Sequence, residues 1–253
     1  MTFDYPTPEQ LPVLRSLWRQ VFGDTEEYLD AFFSTAFSPL RCRCAMENGE
    51  TAGVLYWLDL LCRGEKMAYL YAVATHPDHR GRGVCRRLME DTHALLTAQG
   101  YGGAVLVPQE EGLRKMYAGF GYREATTLCE TFCSAGEVPV PLHRISAEEY
   151  AKLRRQYLPE GAAIQEGEGL RLLGTQAAFY RGRDFLLAAR EVEENTLFGY
   201  ELLGSGEAAP GILKALGFAQ GTFRTPGEKI PFAMFLPLKA GCAGPSYLGF
   251  AFD

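Results

Sequence analysis

Four arginines crowd one short glycine-bearing stretch of this chain, Arg80-Gly81-Arg82-Gly83-Val84-Cys85-Arg86-Arg87. An apolar run, Tyr69 to Thr75, leads into it. Val84, Leu88, Met89, Thr92, Leu95 and Leu96 lead out of it at helical spacing. A strand, a glycine turn and a helix start turn free backbone N–H groups toward an anion. Each cation at the positive end of a helix costs about 0.3–1 kcal/mol. In a chain of formal charge -6, such a cluster suits a polyanion seated among the arginines. The plain alternative is a turn that only joins strand to helix. Two other phosphate motifs are excluded: Arg86 stands where a dinucleotide fingerprint needs its third glycine, and G-x-x-x-x-G-K-[ST] is absent.

Other residue types give weaker signals. His76 and His79 flank the turn, either as phosphate contacts or as solvated loop residues. His93 falls on the polar side of its helix and His143 in a linker, and no histidine has the partners of a nucleophilic triad. Glu65, Glu110 and Glu111 are candidates for a general base by position alone, and the last two equally suit a helix start. Tyr56, Trp57, Tyr69 and Tyr71 alternate like strand residues. They read as core, with one or two rings free to line a cleft. The seven cysteines form no C-x-x-C pair and have no histidine at zinc spacing, so no metal site is expected.

With 253 residues, 47% hydrophobic and 22% charged, the composition is that of a globular protein of one large or two small domains. The acidic balance argues against nucleic-acid binding. There is no basic leader, and no apolar run nears the ~20 residues of a membrane span. The expected setting is a reducing cytoplasm with free thiols, away from membranes.

The elements that must position the arginine loop follow from local signals. Thr7 with Pro8 and Gln10 starts a helix, and Asp24 with Glu27 starts a second. A strand at 41–46 meets an Asn48-Gly49 hairpin turn. Strands are expected near 51–62 and 66–75, a helix over 83–99, a strand at 104–107, a helix at 111–119 and a strand at 121–133. This order predicts a mixed-sheet α/β domain over residues 1–135. Residues 134–144 read as a linker. A second half, 145–253, has helices near 146–157, 167–180 and 208–216, with strands near 184–190, 196–203, 218–224 and 231–237. Ile212 to Phe218 echoes Leu113 to Tyr122: aligning Gly217 with Gly121 puts Leu213 on Tyr117.

Val73-x-x-x-Pro77-x-x-Arg80-Gly81-Arg82-Gly83 resembles the acetyl-CoA loop of the GNAT N-acetyltransferases, whose pattern is [Q/R]-x-x-G-x-[G/A]; Cys85 departs from its last position. The resemblance covers about residues 1–135. It implies a GNAT domain in which Val73, Ala74 and Thr75 pair with the pantetheine arm. Arg80, Gly81, Arg82, Gly83, Val84, Cys85 and Arg86 would bind the cofactor, the amides from Gly81 onward holding its pyrophosphate. Tyr117-x-x-x-Gly121-Tyr122 is similar to the family's Y-x-x-x-G-[FY] segment. That makes Tyr117 the candidate acid for the departing CoA thiolate, against a half-buried aromatic that only packs.

The implied activity is transfer of an acetyl group from acetyl-CoA to the primary amine of a small molecule or peptide, by direct attack in a ternary complex. The alternative is a GNAT-fold protein that senses acyl-CoA without turnover. The two-part layout also looks like the tandem Eis-type acetyltransferases, whose second region is degenerate, but without their further C-terminal domain. The tail, Pro245 to Asp253, carries Tyr247, Leu248, Phe250 and Phe252 and would be sticky if exposed, so it is expected to dock between the halves. By the Eis likeness it would offer Asp253 and the chain terminus as base; a last strand that only packs is the alternative.

Overall fold

The structure, a computed structural model, describes residues 1–252. Its elements run β1 Thr2–Asp4, α1 Leu11–Phe22, α2 Glu26–Thr35, β2 Cys42–Glu47, β3 Glu50–Cys62, β4 Glu65–Thr75, α3 Val84–Ala98, β5 Gly103–Leu106, α4 Glu111–Ala118, β6 Arg123–Glu124 and β7 Thr127–Ser134. They continue with β8 His143–Ile145, α5 Ala147–Tyr157, α6 Glu168–Gln176, β9 Ala178–Arg181, β10 Phe185–Glu193, β11 Thr196–Gly204, α7 Ala209–Leu216, β12 Gln220–Pro226, β13 Ile230–Pro231 and β14 Met234–Pro237. Two mixed sheets of seven strands result, ordered β1-β2-β3-β4-β5-β14-β6 and β13-β7-β12-β11-β10-β9-β8.

The first unit comprises residues 1–106, 110–123 and 235–244. Its hairpin turn forms as expected, with Asn48 at φ 53 and Gly49 at φ 86. Thr25 rather than Asp24 caps α2, accepting from Tyr28 N at 3.2 Å, because Asp24 is engaged by Trp18 Nε1 at 2.7 Å. Trp18, Phe32 and Tyr56 fill one side of the sheet as a buried aromatic cluster. On the other side α3 lies so close to β3 that a Cβ on Gly53 would stand 3.1 Å from Val84 Cγ1. That approach fixes the start of α3 against the sheet.

The second unit comprises residues 107–109, 124–234 and 245–252 of the described chain. Period-two alternation divides β10 cleanly. Leu186 and Ala188 join Tyr150, Leu173, Phe179 and Phe250 on one side; Phe185, Leu187 and Ala189 join Ile212, Leu213 and Phe223 on the other. Residues 178–181 are a strand, not the end of a helix over 167–180, because they pair with β10. The expected linker carries β8, paired with β9.

The expected domain edges at 135 and 145 are not where the chain divides. β7 pairs with β12 in the second sheet, while β14 lies beside β5 in the first. Each sheet therefore contains a strand from the sequence half that supplies most of the other.

The internal repeat is real but differently aligned. In the first sheet β2, β3 and β4 run antiparallel and α3 crosses to a parallel β5; in the second β9, β10 and β11 do so and α7 crosses to a parallel β12. Thus α7 corresponds to α3, not to α4. The helix ends do not tell the two apart, since Phe218 N to Leu213 O, Tyr101 N to Leu96 O and Tyr122 N to Tyr117 O are the same backbone bond at 3.0, 3.0 and 3.1 Å; the crossover does. Leu213 is the counterpart of Leu96, so it does not report a lost Tyr117.

Candidate active site

The loop and the strand before it form a gap in the first unit. β4 pairs with β5 only from Met67 opposite Gly103 to Tyr69 opposite Val105. Beyond that the strand bulges: one β3 residue, Leu55, lies opposite two on β4, Ala72 and Val73. Ala72 sits at φ 48, a left-handed conformation costing about 1–2 kcal/mol for a side-chain-bearing residue. The bulge ends the pairing with β5, and Tyr71, Ala72, Val73 and Thr75 are only half-buried. Val73, Ala74 and Thr75 are thus brought to an open strand edge.

The turn follows. His76 N donates to Ala52 O at 3.0 Å, and His76 Nδ1 accepts from Asp78 N at 3.3 Å. Gly81 and Gly83 both lie at φ 72, with no atom within 4 Å of where a Cβ would stand. Gly83 is the N-cap of α3 and offers no capping side chain. The first N–H groups of α3 have no intrahelical acceptor, so the turn presents uncommitted amides to open space. That cradle fits a diphosphate.

The arginines are not all free to meet it. Arg82 pairs with Glu47 at 2.7 Å. Arg86 stacks on Phe120, 4.5 Å from the ring centroid, and reaches Gly119 O at 3.4 Å. Arg87 donates to Arg82 O at 3.0 Å, and Arg80 to Thr75 O at 3.4 Å. The protein's own acceptors thus offset part of the cost of gathering these cations.

Residues 2–125 match the model of a family described as acetyltransferase (GNAT) domain. This stretch is a GNAT acetyltransferase domain. The whole chain is similar in fold to a GCN5-related N-acetyltransferase from Anabaena variabilis, with TM-score 0.72 and 16% identity, over 94% of this chain and 73% of that one. It is similar also to a GCN5-related N-acetyltransferase from Kribbella flavida, with TM-score 0.71 and 16% identity over 95% and 73%. Eis1 from Mycobacterium abscessus gives TM-score 0.69 and 14% identity over 94% and 74%. No curated protein matches the chain. The two sheets are accordingly two lobes of GNAT fold in tandem.

In the GNAT domain Tyr117 projects from α4 and is 7% exposed. Burial, and to a lesser degree the neighbouring Cys85 thiol, pushes its pKa well up, so the phenol stays protonated. Cys85 is itself raised to about 11 by burial and stays a thiol. Behind Tyr117, Tyr122 is buried with its hydroxyl 2.8 Å from His93 Nε2. His93 is therefore not on a polar face: burial lowers its pKa to about 4 and keeps it neutral. Of the candidate bases, Glu110 is the N-cap of α4. Glu65 opens β4, at the far end of that strand from Thr75, and pairs with Lys239 at 2.7 Å; Glu111 sits in the first turn of α4. Asp253 lies outside the described residues. Among the described residues no group of His, Cys, Asp and Glu could hold a metal, and no helix is long and apolar enough to cross a membrane.

Sequence reading missed Glu47, which holds the loop, and the bulge at Ala72. Glu47 was findable only as the residue before Asn48-Gly49. Nothing local marks Ala72.

Proposed function

We propose that the chain is an N-acetyltransferase that moves the acetyl group of acetyl-CoA to a primary amine by direct attack in a ternary complex. The observation that supports this reading is the opening of β4 away from β5 just before a glycine turn that ends in an uncapped helix. On it, the backbone at Val73 to Thr75 pairs with the pantetheine arm, and the amides from Gly81 to Arg86 hold the diphosphate. Tyr117 donates the proton that the leaving thiolate takes up as the carbon–sulfur bond breaks. A phenol kept neutral by burial suits that task. Asp253 is the proposed acceptor of the amine proton. The seven free thiols fit a reducing cytoplasm.

The test is release of free CoA thiol from acetyl-CoA with a panel of small-molecule and peptide amines. Release that depends on one class of amine supports the reading. CoA binding with no amine-dependent release would make this an acyl-CoA-binding protein.

A further inference from the structure

Three side chains tie the anion turn to the hairpin beside it. Glu47, the last residue of β2, is 16% exposed. Its Oε2 lies 3.0 Å from His79 Nδ1 and 2.7 Å from Arg82 NH2. An ionised carboxylate only accepts, so the His79 proton sits on Nδ1 and points at Glu47. The 3.3 Å approach of Arg82 NH1 to that same nitrogen is then a contact between two donors, held together by the shared carboxylate. His79 Nε2 faces Glu50 at 3.9 Å, and the His76 ring stands edge-on to His79 at 5.7 Å. His79 is 8% exposed, and both its partners here come from the β2–β3 hairpin.

We infer that Glu47 is the positioning residue of the acetyl-CoA loop: by gripping His79 and Arg82 it sets the turn before any ligand arrives. This rests on the proposed function. Two effects of Glu47 oppose one another. Its charge repels a diphosphate and neutralises Arg82, which weakens binding. Its tether removes the ordering cost of a turn holding two left-handed glycines, which strengthens binding. The repulsion acts through Arg82, whose side chain is 51% exposed, where solvent and salt screen it. The tether acts on buried His79 and is not screened, so it wins.

The two parts separate by substitution. Glu47→Gln keeps an acceptor for His79 and Arg82 and removes the charge. Glu47→Ala removes both. Calorimetric titration with CoA is the experiment, paired with thermal melts of the unliganded proteins. Glu47→Ala is expected to bind CoA about tenfold more weakly, with its unliganded melting temperature little changed. Glu47→Gln is expected to bind as tightly as wild type or tighter. Equal affinity of Glu47→Ala and wild type, or a Glu47→Gln as weak as Glu47→Ala, would overturn the inference while leaving the proposed function standing. A wild type that binds no CoA would overturn both.

Discussion

Gly83 and Ala208 cap the two helices that follow corresponding strands, and they do so in opposite conformations: Gly83 at φ 72, Ala208 at φ −70. The first helix start is thus preceded by a turn folded outward, and the second by an ordinary helical residue. Around Ala208 stand Gly206, Glu207 and Pro210, with no arginine between Gly204 and Lys214. The second lobe keeps a bulge on the equivalent strand, at Tyr200 between the pairs Ala188–Glu201 and Ala189–Gly199, but it has no cradle.

One CoA per chain is therefore expected by calorimetric titration. At about 100 Kd of CoA the stabilisation should be about 2.7 kcal/mol, visible as a raised melting temperature. Gly83→Asp should abolish that rise, since it places a carboxylate and a strained backbone at the diphosphate seat. A stoichiometry of two would assign the second lobe a site that its helix start does not supply.

Tyr117→Phe should lower kcat by about 10²–10⁴-fold where chemistry limits turnover, with CoA affinity nearly unchanged. Because burial raises the Tyr117 pKa above the usual 10, its ionisation should not limit kcat at ordinary alkaline pH. A Phe variant with wild-type kcat would return Tyr117 to packing.

His93 makes stability depend on acid. Its pKa falls from 6.5 unfolded to about 4 folded, so between those values the unfolded chain binds more protons. The stability it confers is fully present above pH 6.5 and is lost as pH falls toward 4. The shift corresponds to about 3 kcal/mol. Urea denaturation at pH 7.5 and at pH 5 should show the loss, and His93→Gln should flatten the difference between them.

The tail is part of the second lobe's interior. Gln165 donates to Phe250 O at 2.7 Å and accepts from Phe250 N at 3.0 Å. Arg154 lies over the Phe250 ring at 4.4 Å while making a buried two-pronged pair with Glu201 at 2.7 and 2.8 Å. A Cβ on Gly249 would overlap Glu201 Oε1. Gly249→Ala should cost about 1–3 kcal/mol by overpacking and expose residues 245–252 to protease, read by urea melts and limited digestion. Since Phe252 packs against this core, Asp253→Asn tests the proposed base more cleanly than deletion. If the side chain is the base, acetyl transfer should collapse while folding and CoA binding persist. If the chain terminus is the base, transfer should survive Asp253→Asn and be lost when the terminus is amidated. Normal turnover by both the Asn variant and the amidated chain would remove residue 253 from the mechanism.

Much of the first lobe was legible because its signals are local. The Asn48-Gly49 turn, the apolar strands Glu50–Cys62 and Glu65–Thr75, the glycine turn and the helical spacing after Val84 each depend on residues within a few positions of one another. The family resemblance of the loop came from the same stretch. What tertiary structure alone decided is pairing. A strand's hydrogen-bond partner is not written in its own residues, so β7 and β14 appeared to belong with their sequence neighbours, and each joins the other sheet. The same blindness aligned Leu213 with Tyr117, because a glycine closing a helix looks alike at α3, α4 and α7; only the parallel crossover to the next strand tells them apart. Glu47 belongs to the loop through distance in space, more than thirty residues from His79 in the chain, and only the folded hairpin brings its carboxylate to the imidazole and guanidinium it holds.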